Sequence, residues 1–279
     1  MNIFTKIFSK PKKTYRIKNK EKLGIVAILR VRNEEIIISD TLDHLASICD
    51  GIICYDDAST DKTFEILSSH SKVFAVIKNN QWLPNPTDRI YRETQDRLEL
   101  LQLASEYSPE WIFCVDADER FSGDIRDFLH SDESQLVDVI RIQLFDAYMT
   151  AEDKQSFNKG EKLLNYRKYF GIERRDILML WRNSPGIVFQ GLDAREPTII
   201  SPNHQKIAVK FYCQHYGKSL SVQQWEDTCD YYANHFPFES YGKKWLARKG
   251  KAIHTLSDFD TELELWGEEL FEKAVVMHP

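Results

Sequence analysis

The sequence predicts an α/β protein. Short runs of β-branched and aromatic residues recur along the first half of the chain, and each is followed by a segment with helical spacing. Strand–helix alternation of this kind argues a mostly parallel central sheet with helices on both faces. A second observation is that several of these runs end in acids. Buried parallel strands meet ligands outside their carboxyl ends, so those acids fall where a ligand would bind.

Residues 24–31 form the first core strand, closed by Arg32-Asn33-Glu34-Glu35, which opens a helix with Ile37, Thr41, His44, Leu45 and Ile48 on its apolar side. His44 reads as a helix-surface histidine. Residues 51–55 form the second strand and end in Asp56-Asp57-Ala58-Ser59-Thr60-Asp61. Ser59, Thr60 and Asp61 are good N-cap types for a helix over 63–69. A third strand covers 73–77, and 89–106 has helical core spacing at Leu98, Leu101 and Ala104. Trp111-Ile112-Phe113-Cys114-Val115 then runs into Asp116-Ala117-Asp118-Glu119. Two carboxylates one residue apart at a strand end can share a hard divalent cation through oxygen. The plain alternative is a polar turn that happens to be acidic.

Further on, 122–130 reads as a helix and 137–145 as a strand. Residues 146–175 are polar and without clear pattern, as binding loops and lids often are. Short strands follow over 177–181, 187–190, 198–200 and 207–213, and the last leads into His215-Tyr216-Gly217. From 219 onward the chain is helical and rich in aromatics, with Trp225, Tyr231, Tyr232, Phe236, Phe238, Tyr241 and Trp245. This part is either a helical cap on the sheet or an aromatic platform for sugar rings. The expected organisation is a basic amphipathic tail over 1–22, a catalytic domain over 23–218 and a helical extension over 219–279.

Composition excludes some classes. The 279 residues are 42% hydrophobic and 29% charged, ordinary for a globular protein, and the net charge of −6 gives no reason to expect nucleic acid. The five cysteines are scattered, without a Cys-x-x-Cys, and read as reduced core thiols of a cytoplasmic protein. No apolar run approaches the ~20 residues of a spanning helix, and no signal peptide is evident. The first 22 residues carry segregated basic charge after Ile3, Phe4, Ile7 and Phe8 at helical spacing. Such a segment is either a disordered soluble tail or a peripheral contact with the inner face of a membrane.

The three acidic strand ends, in this order and separation, resemble the family 2 glycosyltransferases of the GT-A fold, in particular bacterial enzymes that extend lipopolysaccharide core or capsular glycans. The resemblance covers 24–120, is looser over 181–196, and resumes at 215–217. It implies transfer of a sugar from a nucleotide-diphosphate donor to a hydroxyl of a glycan or lipid-linked glycan, with inversion and with Mn²⁺ or Mg²⁺. It implies that Arg30, Arg32, Glu34 and Asp57 hold the base and ribose. Asp118 binds the metal, Asp116 lies near the ribose and the metal's waters, and His215 completes the metal site. Arg92 and Arg97 either face the diphosphate or form surface ion pairs. The family's Gly-x-x-His-Glu-like segment is matched by 191–196, with Arg195 in place of the histidine. Glu196 is then the catalytic base and Asp193 its substitute.

Three rivals are weaker. A phosphatase of the haloacid-dehalogenase type expects Thr or Val where Arg120 stands, and leaves Asp56-Asp57 without a role. A sugar nucleotidyltransferase expects a glycine-rich basic loop after the first strand. A glycan-binding scaffold on a decayed fold does not need acids at all three strand ends.

Overall fold

The structure, a computed structural model, describes residues 12–19, 21–184, 186–192, 194–200 and 206–274. Four parallel strands form its centre: β2 (Ile25–Val31), β3 (Gly51–Asp57), β4 (Val73–Asn79) and β5 (Trp111–Val115), in spatial order β4-β3-β2-β5. All of β3 and β5 is buried. Strands covered on both faces read as continuous apolar runs, which is why the sequence revealed them. The pleat sends Ala27, Leu29, Ile52 and Cys54 to one core, packed with Leu42 and Leu45 of α1 (Ile38–Ile48) and Leu67 of α2 (Thr63–Ser69). Val26, Ile28, Ile53 and Tyr55 go to the other, packed with Leu100, Leu101 and Ala104 of α3 (Pro86–Ser105). The expected α/β fold, with a parallel central block and helices on both faces, is the one the chain adopts.

Beyond β5 the sheet becomes mixed. β6 (Glu119–Ser122), α4 (Ile125–His130), β7 (Val139–Tyr148) and the long β8 (Tyr169–Arg182) follow. A two-strand pair, β9 (Ile187–Val188) with β10 (Thr198–Ile199), stands apart from the main sheet, and β11 (Ile207–His215) rejoins it. The order continues β5-β8-β7-β11-β6, with β7 and β11 parallel and the other pairs antiparallel.

Several expectations change. Residues 146–175 are not a loose lid: β7 and β8 take both ends, and the segment between is fastened by the fully buried ion pair Arg167–Asp153 at 2.9 Å. Leu163 and Phe157 of that segment lie in the core. The first helix starts at Ile38 rather than beside Glu35. His44 is not a free surface residue: its Nε2 accepts the Phe121 N–H at 2.9 Å, and burial with Arg120 nearby lowers its pKa to about 4.

In the basic segment, β1 (Lys13–Arg16) pairs antiparallel with β4. Its charges meet acids of α3: Lys12 binds Glu99 at 2.5 Å, and Arg16 binds Glu106 at 2.7 Å. The helically spaced Ile3, Phe4, Ile7 and Phe8 lie outside the described residues. The C-terminal extension comprises α5 (Val222–His235), α6 (Lys243–Arg248), β12 (Glu264–Leu265, on β8) and α7 (Glu268–Glu272). All five cysteines are buried and free. Among the described residues, no helix is long and apolar enough to cross a membrane.

Candidate active site

β2, β3 and β5 point the same way, with Val31 level with Asp56 and Leu29 level with Val115. Arg32, Asp57 and Asp116 therefore leave the sheet at one edge. The connections from β2 run to β3 on one side and return to β5 on the other, so this edge is a topological switch point, where α/β sheets open a crevice.

The loops after β2 and β3 are zipped together. Asn33 accepts the Thr60 N–H at 2.8 Å and donates its own N–H to Ser59 Oγ at 3.0 Å. Asp61 accepts the N–H groups of Glu35 and Thr63 at 3.1 and 2.9 Å, and Glu35 accepts the Lys62 N–H at 2.9 Å. Asn33 and Ala58 sit at φ of 55° and 57°, the left-handed turns that bring the loops together. Much of both motifs thus builds the rim. Beyond it lies a cleft of about 370 Å³, lined by Arg32, Ser59, Thr60, Lys78, Asn79 and Trp82 among others. Arg32 is fixed over the Trp82 ring, 4.5 Å from its centroid, and donates to the Asp57 and Ala58 carbonyls at 2.8 and 2.7 Å.

Behind the cleft, Asp57 is buried. Its Oδ2 accepts from Arg30 at 2.7 Å and Arg89 at 2.6 Å, and its Oδ1 accepts from Asn79 at 2.9 Å. Burial alone would raise its pKa, but the two guanidinium groups outweigh burial and bring it down to about 2. Arg30 also pairs with Glu93 at 2.8 Å and Asp96 at 3.2 Å. Arg92 lies deeper, donating to Tyr55 Oη at 2.7 Å and pairing with Asp96.

The other side of the crevice is set by strand register. β11 lies between β6 and β7, so His215 stands opposite Glu119 on one neighbour and Asp146 on the other. His215 Nδ1 bonds Asp146 at 2.6 Å, which directs Nε2 toward Asp118 Oδ2 at 3.4 Å. Burial lowers the pKa of His215, but Asp118 and Asp146 raise it well above the usual value. The Asp118 carbonyl accepts the Tyr216 N–H at 2.8 Å. Gly217 leaves room there: a Cβ would lie 2.6 Å from Asp118 Oδ2 and 3.0 Å from His215 Nε2. Glu34 is in the same field; burial and then Asp118, Asp61 and Asp116 raise its pKa well above the carboxylate range.

Asp116 is paired from two sides, by Arg97 at 2.8 Å and by Arg195 Nε at 2.6 Å. Arg195 also spans both oxygens of Glu119 at 2.7 Å. Burial would raise the Asp116 pKa, but Arg195 and Arg97 hold it well below the usual range. The turn is pinned from beneath by the buried Arg120, which donates to Asp40 and to the Ala117 and Glu119 carbonyls at 2.9, 2.9 and 2.7 Å. Glu196 lies apart from these pairs. Its Oε2 accepts from the Leu178 N–H at 2.8 Å and Arg141 at 3.1 Å, and its side chain is 40% exposed. Asp193 lies outside the described residues.

The structure thus gathers Glu34, Asp116, Asp118 and His215 around one turn, with Arg97 against it, and Arg30, Arg32 and Asp57 beside the cleft. Among the described residues, no group of three or more His, Cys, Asp or Glu side chains forms a ready metal cage. Sequence reading missed Arg89, Asp146 and the placing of Arg195. Asp146 carried a usable signal, because an acid inside an apolar strand needs a partner. α5 reaches the wall of the crevice: Tyr231 Oη accepts from Arg89 at 3.1 Å, and the His235 and Trp82 rings meet edge-to-face with centroids 4.6 Å apart.

No family model matches the chain. Two uncharacterized proteins, one from Mycobacterium bovis and one from Mycobacterium tuberculosis, are each 38% identical over 103 residues, 37% of this chain. The match spans only 25% of the length of each relative. Among solved structures, a glucosyl-3-phosphoglycerate synthase from M. tuberculosis, in complex with Mn²⁺, UDP and glucosyl-3-phosphoglycerate, matches at 19% identity and TM-score 0.31, over 44% of each chain. A Bacillus anthracis structure described as a glucose-1-phosphate thymidylyltransferase matches at 10% identity and TM-score 0.32, over 82% of this chain and 85% of that one. At these TM-scores the likeness carries no functional argument.

Proposed function

We propose that the protein is an inverting, metal-dependent glycosyltransferase, which takes a sugar from a nucleotide-diphosphate donor and places it on a hydroxyl of a glycan or lipid-linked glycan. The observation that carries this reading is the pairing of Asp118 with His215. An oxygen and a neutral-capable nitrogen converge at a switch-point crevice, the histidine is oriented from behind by Asp146, and a glycine leaves room in front of both. A histidine whose second nitrogen is held by a carboxylate is the usual arrangement of a metal ligand. These two groups fit Mn²⁺ or Mg²⁺, which keep water and substrate phosphates in the rest of their shell. When bound, the ion neutralises charge on the leaving diphosphate.

The chain's own residues supply the rest. Arg32 and the 58–60 loop bind the nucleoside in the cleft beside Trp82. Arg30 and Asp57, with Arg89, form the wall behind it, so Asp57 acts as a positioning residue. Glu34 and Asp116 face the ribose, and Arg97 faces the phosphates. Arg92 acts by ordering Tyr55 and Asp96. Glu196 is the general base: Arg141 and the Leu178 N–H fix one oxygen, while the exposed part of the carboxyl accepts the acceptor's hydroxyl proton. Asp193, three positions earlier in the sequence, is the alternative. Aromatics of α5 form the acceptor side of the crevice.

The deciding experiment is a panel of nucleotide sugars incubated with the full chain, with and without Mn²⁺ or Mg²⁺, reading nucleoside diphosphate release. Release with one donor class, abolished by chelation, is expected. If no donor is bound or consumed under any metal condition, the reading fails.

A further inference from the structure

The position where the resemblance expects a histidine holds Arg195, and that half-buried guanidinium is packed against the acid turn itself. Its Nε contacts Asp116 Oδ2 at 2.6 Å, its Nη2 spans both Glu119 oxygens at 2.7 Å, and its Nη1 touches Cys114 Sγ at 3.6 Å. Arg97 closes on Asp116 from the other side and touches the same Cys114 sulfur at 3.4 Å. Asp116 and Glu119 are therefore already neutralised by side chains of the protein. Among the described residues, the ion-pair partner of the adjacent Asp118 is His215, at 3.4 Å.

We propose that Arg195 is a resident cation of this turn: it holds Asp116 and Glu119, keeps Asp116 out of the metal's shell, and makes divalent-cation binding at Asp118 and His215 depend on the nucleotide. This rests on the reading of the site as a metal–nucleotide site. Affinity of oxygen sites for hard cations rises with the number of ligand charges. Here the two carboxylates Asp116 and Glu119 are matched by the two guanidinium groups Arg97 and Arg195, and Asp118 faces His215. A second cation next to two guanidinium groups gains little until a diphosphate adds its own charge and oxygens. Arg195 thereby couples the two ligands without touching the sugar.

The test is Mn²⁺ binding to the full chain, read as loss of the free Mn²⁺ signal in electron paramagnetic resonance. Wild type is expected to bind Mn²⁺ weakly alone, and at least tenfold more tightly once a nucleoside diphosphate is added (UDP, GDP, ADP and CDP in separate arms). Arg195→Gln should bind Mn²⁺ at least tenfold more tightly than wild type without nucleotide, and Arg195→Lys should stay near wild type. Adding Asp116→Asn to Arg195→Gln should remove the gain, because Asp116 is the ligand released. If Arg195→Gln does not fold, Glu119→Gln/Arg195→Gln replaces it: Glu119 then no longer needs a cation, and the same gain is expected. Wild-type affinity in the folded variant, or a gain that survives Asp116→Asn, overturns the proposal while nucleotide-supported Mn²⁺ binding by wild type still upholds the site. No Mn²⁺ binding by any of these proteins, with or without nucleotide, overturns both.

Discussion

The two sides of the crevice solve the problem of buried charge in opposite ways. On the β2–β3 side, Arg30, Asp57 and Arg89 are closed on one another at 2.6–2.7 Å with side chains under a tenth exposed. On the β5–β11 side, Asp118 and His215 stand 3.4 Å apart and are each about a quarter exposed. The closed side is finished by folding, and removing one member strands the others, which costs several kcal/mol. Under the proposed function, a bound ion and nucleotide would complete the open side. The first should respond to mutation as a structural unit and the second as a binding site.

The largest effect is expected at the open side. Asp118→Ala should lower transfer by about 10³-fold or more, since it removes the oxygen ligand beside the leaving group and metal stabilisation is worth several kcal/mol. Its melting temperature should stay close to wild type, because no buried partner is stranded. A protein that loses its fold instead would place Asp118 on the closed side of the division.

Next is the base. Glu196→Gln keeps the bonds from Leu178 and Arg141 in outline and loses the proton acceptor. Turnover should fall by about 10²–10⁴-fold, with donor affinity little changed. Steady-state kinetics on the accepted donor separates the two. Retained turnover in this variant, with Asp193→Asn inactive, would move the base to Asp193.

The closed side should show itself in stability. Asp57 has a folded pKa of about 2 against an ordinary 3.8. A depressed carboxylate stabilises the fold above its unfolded pKa, and that contribution is lost as pH falls from about 4 through 2. The difference corresponds to roughly 2 kcal/mol. Asp57→Asn should be less stable than wild type by about this amount at pH 7, and the gap should close as pH approaches 2. Denaturant melts of both proteins across that range decide it. A gap that persists unchanged at pH 2 would mean Asp57 stabilises by shape and not by charge.

This division also explains what was legible in the sequence. β2, β3, β4 and β5 could be read because both faces of each are covered. The acids at their ends could be located because a strand end is a local property. β8 was cut short in the reading because Glu173-Arg174-Arg175-Asp176 interrupts it; Asp176 pairs with Arg141 on β7, a partner 35 residues away. β1 was hidden by the basic residues in and before it; Lys12, just before the strand, finds Asp96 and Glu99 on α3. The Asp118–His215 pair could be proposed only through resemblance, because what creates it is the register of β11 between β6 and β7. For the same reason the partners of Asp146 and Arg195 could not be named from the sequence: their pairings span 69 and 76 residues.

The smallest effect probes the room at the open side. Gly217 does not sit at a positive φ, so alanine is permitted by the backbone there. Its Cβ, however, would press on the ends of Asp118 and His215 at 2.6 and 3.0 Å, closer than side-chain carbons normally approach. Those ends are movable, so the cost to the fold is small and falls on the geometry of the pair. Gly217→Ala should therefore weaken Mn²⁺ binding in the presence of nucleotide by about tenfold, the lower end of what misoriented ligands cost, with a melting temperature near wild type. Gly160→Ala is the control, since a Cβ there meets nothing within 4 Å and only its left-handed φ of 95° is strained. That variant should lose some stability and no metal affinity. Unchanged Mn²⁺ affinity in Gly217→Ala would mean that the space before Asp118 and His215 is not where the ion binds. The open side would then be open for another reason.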